Sequence, residues 1–242
     1  MKAAVQANTE LLLFFGAAQT GDTRRGIAPR IHRLFRSVAE RISRQPALLS
    51  EYLPQLEFVA QRFAPAWLLV ADLHEETEGT GALEGAKRAI RRYLELPSDG
   101  VATRSAWERL AALCKRTGDF IGEVHALVEL SALPTVPVQA VSNAVNRWNS
   151  LFRHQHIPLA GDERRILAER LLTIAERRKD EVDSIDCSRI AWLSLALHKD
   201  SLAKEFTALG LALDPQNEHC RNLAERLNLP LTTGFSRDRH IL

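Results

Sequence analysis

Four tryptophans lie at nearly equal intervals along the sequence, and their spacing limits the possible folds more than any other feature does. They are Trp67, Trp107, Trp148 and Trp192, separated by 40, 41 and 44 residues. The first, second and fourth stand in the phrase Ala-Trp-x-x-(Val or Leu)-Ala. Self-similarity at a fixed period is typical of stacked supersecondary units, which bury their apolar faces only against one another. The sequence therefore predicts a repeat protein in which the tryptophans pack between units.

The residues around Trp107 predict a helical hairpin. Leu110, Ala111 and Cys114 follow this tryptophan at helical spacing, and a second periodic segment follows the turn at Gly118-Asp119. An aspartate at this point is a suitable N-cap for the second helix. Because the periodic segments on both sides of the turn have helical spacing, the predicted fold class is all-α.

The stretch from Ala203 to Asn217, AKEFTALGLALDPQN, predicts the second helix of another hairpin and its exit turn. Ala203 allows a partner helix to approach, Gly210 admits the next hairpin, and Pro215 follows the helix end. The expected apolar face consists of Phe206, Leu209 and Leu213.

These two stretches resemble the tetratricopeptide repeat family, whose pattern is W-x2-L-G-x2-Y, then A-x3-F, then Pro, at a period of about 34 residues. The resemblance extends over roughly residues 50–228. It implies a right-handed α-solenoid whose concave groove, lined by the first helix of each pair, holds a peptide or a partner helix. On those first helices the resemblance directs attention to Asp72, Glu108 and Arg109, next to Leu68 and Ala112. These residues do not form the basic clamp with which one subgroup binds C-terminal carboxylates.

The last hairpin has two possible registers. Trp192 lies eleven residues before Ala203, whereas Trp107 lies sixteen residues before Glu123, which occupies the matching small-residue position. With a turn of the usual length, Cys187, Ile190 and Ala191 take the family's first-helix positions instead of the Trp192 phrase. The sequence leaves both registers open.

The first 46 residues differ from the rest in charge, with eight basic and three acidic groups. Within them, residues 3–19 contain the apolar block Leu11–Phe15, interpreted either as a helix docked on the end of the solenoid or as the remnant of an upstream domain.

Residues 27–45 predict a basic amphipathic helix. Its apolar positions are Ile27, Ile31, Leu34, Phe35, Val38 and Ile42, and its polar face holds Arg30, Arg33, Arg36, Arg41 and Arg44. That face is either a solvated surface or a docking site for an acidic surface or a nucleic acid. The predicted organisation is this N-terminal region over 1–46, a solenoid over 47–228 and a flexible tail over 229–242.

Composition argues against several other classes of protein. The 242 residues are 45% hydrophobic and 26% charged with a net charge of +2, which is ordinary for a globular protein and gives no global indication of nucleic-acid binding. The longest apolar runs are eight residues, too short for a membrane span of ~20. Three cysteines without a C-x2-C pair favour buried, inert thiols in a reducing cytoplasm.

No group of residues indicates catalysis, a metal or a cofactor. His154-x-His156 has no further ligand at suitable spacing, and His74-Glu75-Glu76 lacks the second histidine of a zinc protease motif. Gly79-Thr80-Gly81 is interpreted as a hairpin turn, because neither a strand nor a lysine accompanies it as in a phosphate loop.

Three functions remain open. The first is a non-catalytic scaffold or adaptor that binds a peptide or helix of another protein, an expectation from fold analogy. The second is a regulatory or sensor subunit whose catalytic domain lies elsewhere. The third is a nucleic-acid-associated module that uses the arginine-rich helix.

Overall fold

The computed structural model describes residues 24–77, 80–96, 100–154 and 162–230. This part of the chain forms eleven α-helices and one short 3-10 helix, and none of its residues lies in a strand. The all-α prediction is confirmed. The helix expected within residues 3–19 and the tail from residue 231 onward lie outside the described residues.

The chain divides into two compact units, residues 1–98 and 99–242. The division falls within the stretch 47–228 that the sequence predicts as one solenoid. The described helices of the first unit are α1 (Arg24–Arg44), α2 (Leu48–Ala60), α3 (Ala66–Glu75) and α4 (Thr80–Leu94).

In the first unit, the basic helix is an integral part of the packing. Helix α1 packs on α2 and α3, α2 packs on α3, and α3 packs on α4. Ile31, Phe35, Val38 and Ile42 are buried, as their spacing of three and four residues requires for one helical face. Helix α4 begins at Thr80 and contains Gly81, so the prediction that Gly79-Thr80-Gly81 is entirely a turn is wrong at its last two residues.

The second unit contains seven α-helices in its described part. They are α5 (Gly100–Arg116), α6 (Phe120–Ala132), α7 (Val138–His154), α8 (Asp162–Arg177), α9 (Ser184–Ala196), α10 (Asp200–Leu213) and α11 (Glu218–Arg226), with the 3-10 helix Lys179–Glu181 between α8 and α9. Side chains define several of the helix starts. Asp119 accepts a hydrogen bond from the Gly122 backbone N–H at 2.9 Å, as predicted, and Asn217 accepts one from the Cys220 N–H at 3.0 Å.

Packing in the second unit follows chain order. Helices adjacent in sequence pack together, and α6 also packs on α8, α7 on α9 and α9 on α11. All extensive helix contacts within this unit therefore join elements at most two places apart. The common core includes Val145, Leu171, Ile190, Phe206 and Leu223, which come from five different helices.

Three helices of the second unit end in the same backbone turn. At the ends of α5, α9 and α11, one residue has a positive φ: Gly118 at 70°, His198 at 56° and Asn228 at 51°. In each turn the next N–H donates to the carbonyl five residues earlier, at 2.8–2.9 Å. This left-handed C-terminal cap satisfies carbonyls that the helix leaves without partners, and glycine adopts it at the lowest cost.

The turn fixes the register of the last hairpin. Gly118 and His198 are 80 positions apart, so Cys187 corresponds to Trp107 and Ala203 to Glu123. Cys187, Ile190 and Ala191 are fully buried, whereas Trp192 is half-buried. Of the two registers left open by the sequence, the one that places Cys187, Ile190 and Ala191 on the inner face is the one observed.

Two large apolar residues of the second unit are exposed, one of them against the prediction. Ile166 is 57% exposed because the buried arc of α8, formed by Leu167, Ala168, Leu171, Leu172 and Ala175, is centred on the other side of the helix. Leu213 is 47% exposed because it is the last residue of α10. The prediction that Leu213 belongs to the buried apolar face of its helix is wrong.

Candidate partner-binding surfaces

The polar face of α1 is an exposed row of arginines in the first unit. Arg33, Arg36, Arg41 and Arg44 are all exposed, and the side chain of Arg30 lies outside the described residues. Arg33 donates to the Pro29 carbonyl at 3.4 Å, while Arg41 donates to the Tyr52 hydroxyl at 3.4 Å. The structure thus places four of the five predicted arginines on one helix, where their guanidinium groups can reach an external anion.

The remaining predicted partner residues lie on α3 and α5. Asp72 is half-buried on α3, in the first unit. On α5, Glu108 is exposed and receives a hydrogen bond from Arg104 at 2.9 Å, whereas Arg109 is half-buried. An exposed pair of this kind contributes little stability, typically under ~1 kcal/mol. The charges of Arg104 and Glu108 offset each other on α5.

The four tryptophans do not have equal environments. Trp67 and Trp148 are each 7% exposed, so both rings are buried. Trp107 is half-buried, with its ring 5.9 Å from that of His125, and half-buried Trp192 has the guanidinium of Arg226 at 5.1 Å from its ring centre. The Arg226 contact is a cation–π interaction that joins α9 to α11.

The other residues predicted as structural lie in and around the last hairpin. Ala203 and Gly210 are buried, and Pro215 is exposed in the turn after α10. A Cβ added at Gly210 would lie 2.4 Å from the Cys220 Sγ and 3.0 Å from the Cys187 Cβ. Only glycine therefore permits α9 and α11 to approach α10 this closely.

The face of α7 next to α9 carries uncharged amides. Gln139, Asn143 and Asn146 are exposed at intervals of four and three residues, which places them on one helical stripe. Beside this stripe, Asn149 donates to the Arg189 carbonyl at 2.8 Å, and the Arg189 guanidinium donates to the Ser142 hydroxyl at 2.7 Å. These bonds hold α9 in a fixed position against α7.

Sequence reasoning missed the ion pairs that connect the helices of the second unit. Arg147 on α7 donates to both carboxylate oxygens of Glu123 on α6, at 2.8 and 2.7 Å, and Glu123 is only 4% exposed. Arg170 on α8 makes a similar two-bond pair with Glu129 on α6. The partners are 24 and 41 residues apart, so no local pattern in the sequence indicates them.

The three cysteines are buried, as predicted. Burial, together with electrostatic interactions with Cys220, Asp186 and Asp183, raises the pKa of Cys187 to about 12. Burial likewise raises the pKa of Cys220 to about 11. Because the thiolate is the nucleophile, neither thiol is reactive near neutral pH.

Histidines do not assemble into a metal site in the described part of the chain. Burial lowers the pKa of His74, and the positive charge of Arg88 lowers it further, which favours the neutral ring. Within the ranges that the structure describes, no group of three or more His, Cys, Asp or Glu side chains could hold a metal ion. His156 and the side chain of His154 lie outside the described residues.

No described helix is sufficiently long and apolar to cross a membrane.

Comparisons with known proteins do not identify a family. No protein-family model matches the sequence. No match is found among curated proteins either. The tetratricopeptide resemblance therefore stays an expectation that depends on the sequence patterns described above.

Proposed function

We propose that this chain is an α-solenoid of tetratricopeptide type that acts as a non-catalytic scaffold and binds another protein. The observation that carries the proposal is the chain-order packing of the second unit, together with two equivalent hairpin turns 80 residues apart. Units that contact only their neighbours are the basis of solenoid architecture, and solenoids offer extended surfaces for partners.

The face of α7 and α9 is the best location for a bound peptide in the second unit. Asn143 and Asn146 present both donors and acceptors, which suit the alternating N–H and C=O groups of an extended backbone. The bonds from Asn149 and Arg189 fix the neighbouring helix, so the surface is preorganised. Preorganisation lowers the entropy lost on binding.

The test is capture of partners from extracts of the source cells by the immobilised chain, with affinities then measured on purified partners. Asn143→Ala combined with Asn146→Ala should weaken the interaction about tenfold, the value of one or two lost hydrogen bonds. Lys204→Ala, at an exposed position of α10, is the matched control and should not change the affinity. Absence of any saturable partner would contradict the scaffold function, and equal binding by all variants would contradict this location.

The exposed arginines of α1 favour a second candidate, binding of nucleic acid. Four guanidinium groups on one face can contact several phosphates. If they do so, affinity for a mixed-sequence duplex should fall steeply with salt, and reversal of Arg33 and Arg36 to Glu should reduce the salt slope by about 2. Reversal of the exposed residues Arg165 and Arg221, which changes the net charge equally, is the control. If both reversals reduce the salt slope equally, α1 is not the binding face.

A further inference from the structure

A cavity of about 520 Å³ opens in the second unit where α6 ends and the last turns of α8 pass beside it. Arg170, Arg177 and Arg178 line it on the side of α8, and Leu133 and Ile174 supply apolar surface. Three guanidinium groups therefore surround one opening, and each is neutralised only if a negative group lies nearby.

Two of these arginines are bound within the protein. Arg170 makes two hydrogen bonds with Glu129. Arg178 binds both oxygens of Glu181 and donates to the Val136 carbonyl at 2.9 Å. The hydrogen bond from Arg178 lowers the pKa of Glu181, so this carboxylate is ionised and balances its partner.

Arg177 carries the charge that is not balanced in this way. It is exposed, and it forms no hydrogen bond or ion pair with any residue in the described ranges. Its position in the last turn of α8 also offsets the partial negative charge at the helix end. That effect requires only a nearby positive charge, and it leaves the N–H donors of the guanidinium unused.

The outer face of α8 leads to the cavity. Ile166, Arg170, Thr173 and Arg177 follow one another at intervals of four, three and four residues, which places them on one stripe. Ile166 is 57% exposed. A peptide laid along it would place an apolar side chain on Ile166 and a negative one near Arg177.

We propose that this cavity binds an anionic side chain, a carboxylate or a phosphate ester, of a partner peptide that crosses the outer face of α8. The inference rests on the proposed scaffold function and identifies the chemistry of one partner segment. Arg177 donates two parallel hydrogen bonds to the anion, in the planar geometry that guanidinium groups provide. Arg170 supplies a further N–H, and Ile174 and Leu133 contact the methylene groups of the bound side chain.

The first test uses small probes, so it does not depend on a known partner. The intact chain is titrated with the amides of N-acetylglutamate, N-acetyl-O-phosphoserine and N-acetylglutamine, while NMR follows the backbone amides of Thr173 and Ile174 and the Arg177 side chain. Saturable shifts with the two anions, and none with glutamine, are expected. The anionic probe with the lower dissociation constant shows whether the bound group is a carboxylate or a phosphate ester. Shifts that are equal for all three probes, or that do not saturate, would overturn the proposal.

Variants at one position separate binding from helix stability. Arg177→Gln should weaken the anionic probes at least about tenfold, as loss of a charged hydrogen bond predicts. Arg177→Lys keeps the charge at the helix end, so it should retain the melting temperature while losing part of the affinity. Arg165→Gln is the matched control, since this exposed arginine lies on α8 outside the cavity. An equal loss in Arg165→Gln would show that only general charge attraction is present.

Failure of this proposal is distinguishable from failure of the scaffold function. If captured partners bind wild type and Arg177→Gln equally, the scaffold function stands and the cavity site is wrong. If no partner is captured but the probes still saturate at Arg177, the site stands and the scaffold function is wrong.

Discussion

The hairpins α5–α6 and α9–α10 are built on the same turn but from different residues, and the difference shows what the backbone requires. In the first, Gly118 occupies the left-handed position and Asp119 caps the next helix. In the second, His198 and Lys199 take these places, and Lys199 makes no side-chain cap bond. The same geometry therefore forms without the residues that favour it most. The second hairpin also packs closely at Gly210, where an added Cβ would lie 2.4 Å from the Cys220 Sγ.

The largest difference between the two hairpins is at the position of Glu123 and Ala203. Glu123→Ala should lower the free energy of unfolding by about 2–3 kcal/mol, because it leaves the partly buried Arg147 without a partner. Adding Arg147→Leu should restore most of this loss, since the first hairpin then has an apolar contact as the second does. Urea denaturation followed by circular dichroism measures both values. A double variant as unstable as the single one would show that the ion pair itself stabilises the hairpin.

An intermediate effect is expected at Gly210, which corresponds to Leu130 in the first hairpin. Gly210→Ala should cost about 1–3 kcal/mol, because the new Cβ would overlap Cys220 and press on Cys187. Gly81→Ala is the control: nothing lies within 4 Å of a Cβ there, and alanine should stabilise α4 by up to about 1 kcal/mol. Equal stability of the two alanine variants would contradict the close helix approach.

The smallest effects are expected in the turn, and they should have opposite signs. Gly118→Ala should destabilise the protein by about 1 kcal/mol, because an L-residue is strained at positive φ. His198→Gly should stabilise it by about 0.5 kcal/mol, a smaller change because glycine also loosens the unfolded chain. The midpoints of urea denaturation give both values. Changes of the same sign would mean that the two turns are not equivalent in solution.

Local signals in the sequence predicted the helices well. The Asp119 cap, the end of α10 before Pro215 and the apolar face of α1 each depend on residues a few positions apart, and all are present. Such features follow from helix geometry and capping alone.

Features that depend on distant residues were not predictable in the same way. The repeated phrase at Trp192 suggested a register that the hairpin turn excludes, because similar wording does not require an equivalent position. The pairs Glu123–Arg147 and Glu129–Arg170 join separate helices, and the cavity lined by Arg177 forms only when α6 and α8 pack together. A single sequence contains no record of such contacts.

The chain-order packing of the second unit has a consequence for how the molecule opens. Helix α11 makes its extensive contacts with α9 and α10, so its detachment would remove a small part of the contacts of the unit and leave the packing among α5 to α8 largely in place. Amide hydrogens should then exchange with solvent in a gradient, fastest in α11 and slower toward the middle of the unit. Local opening of this kind would allow a partner to displace α11 while α5 to α8 stay folded.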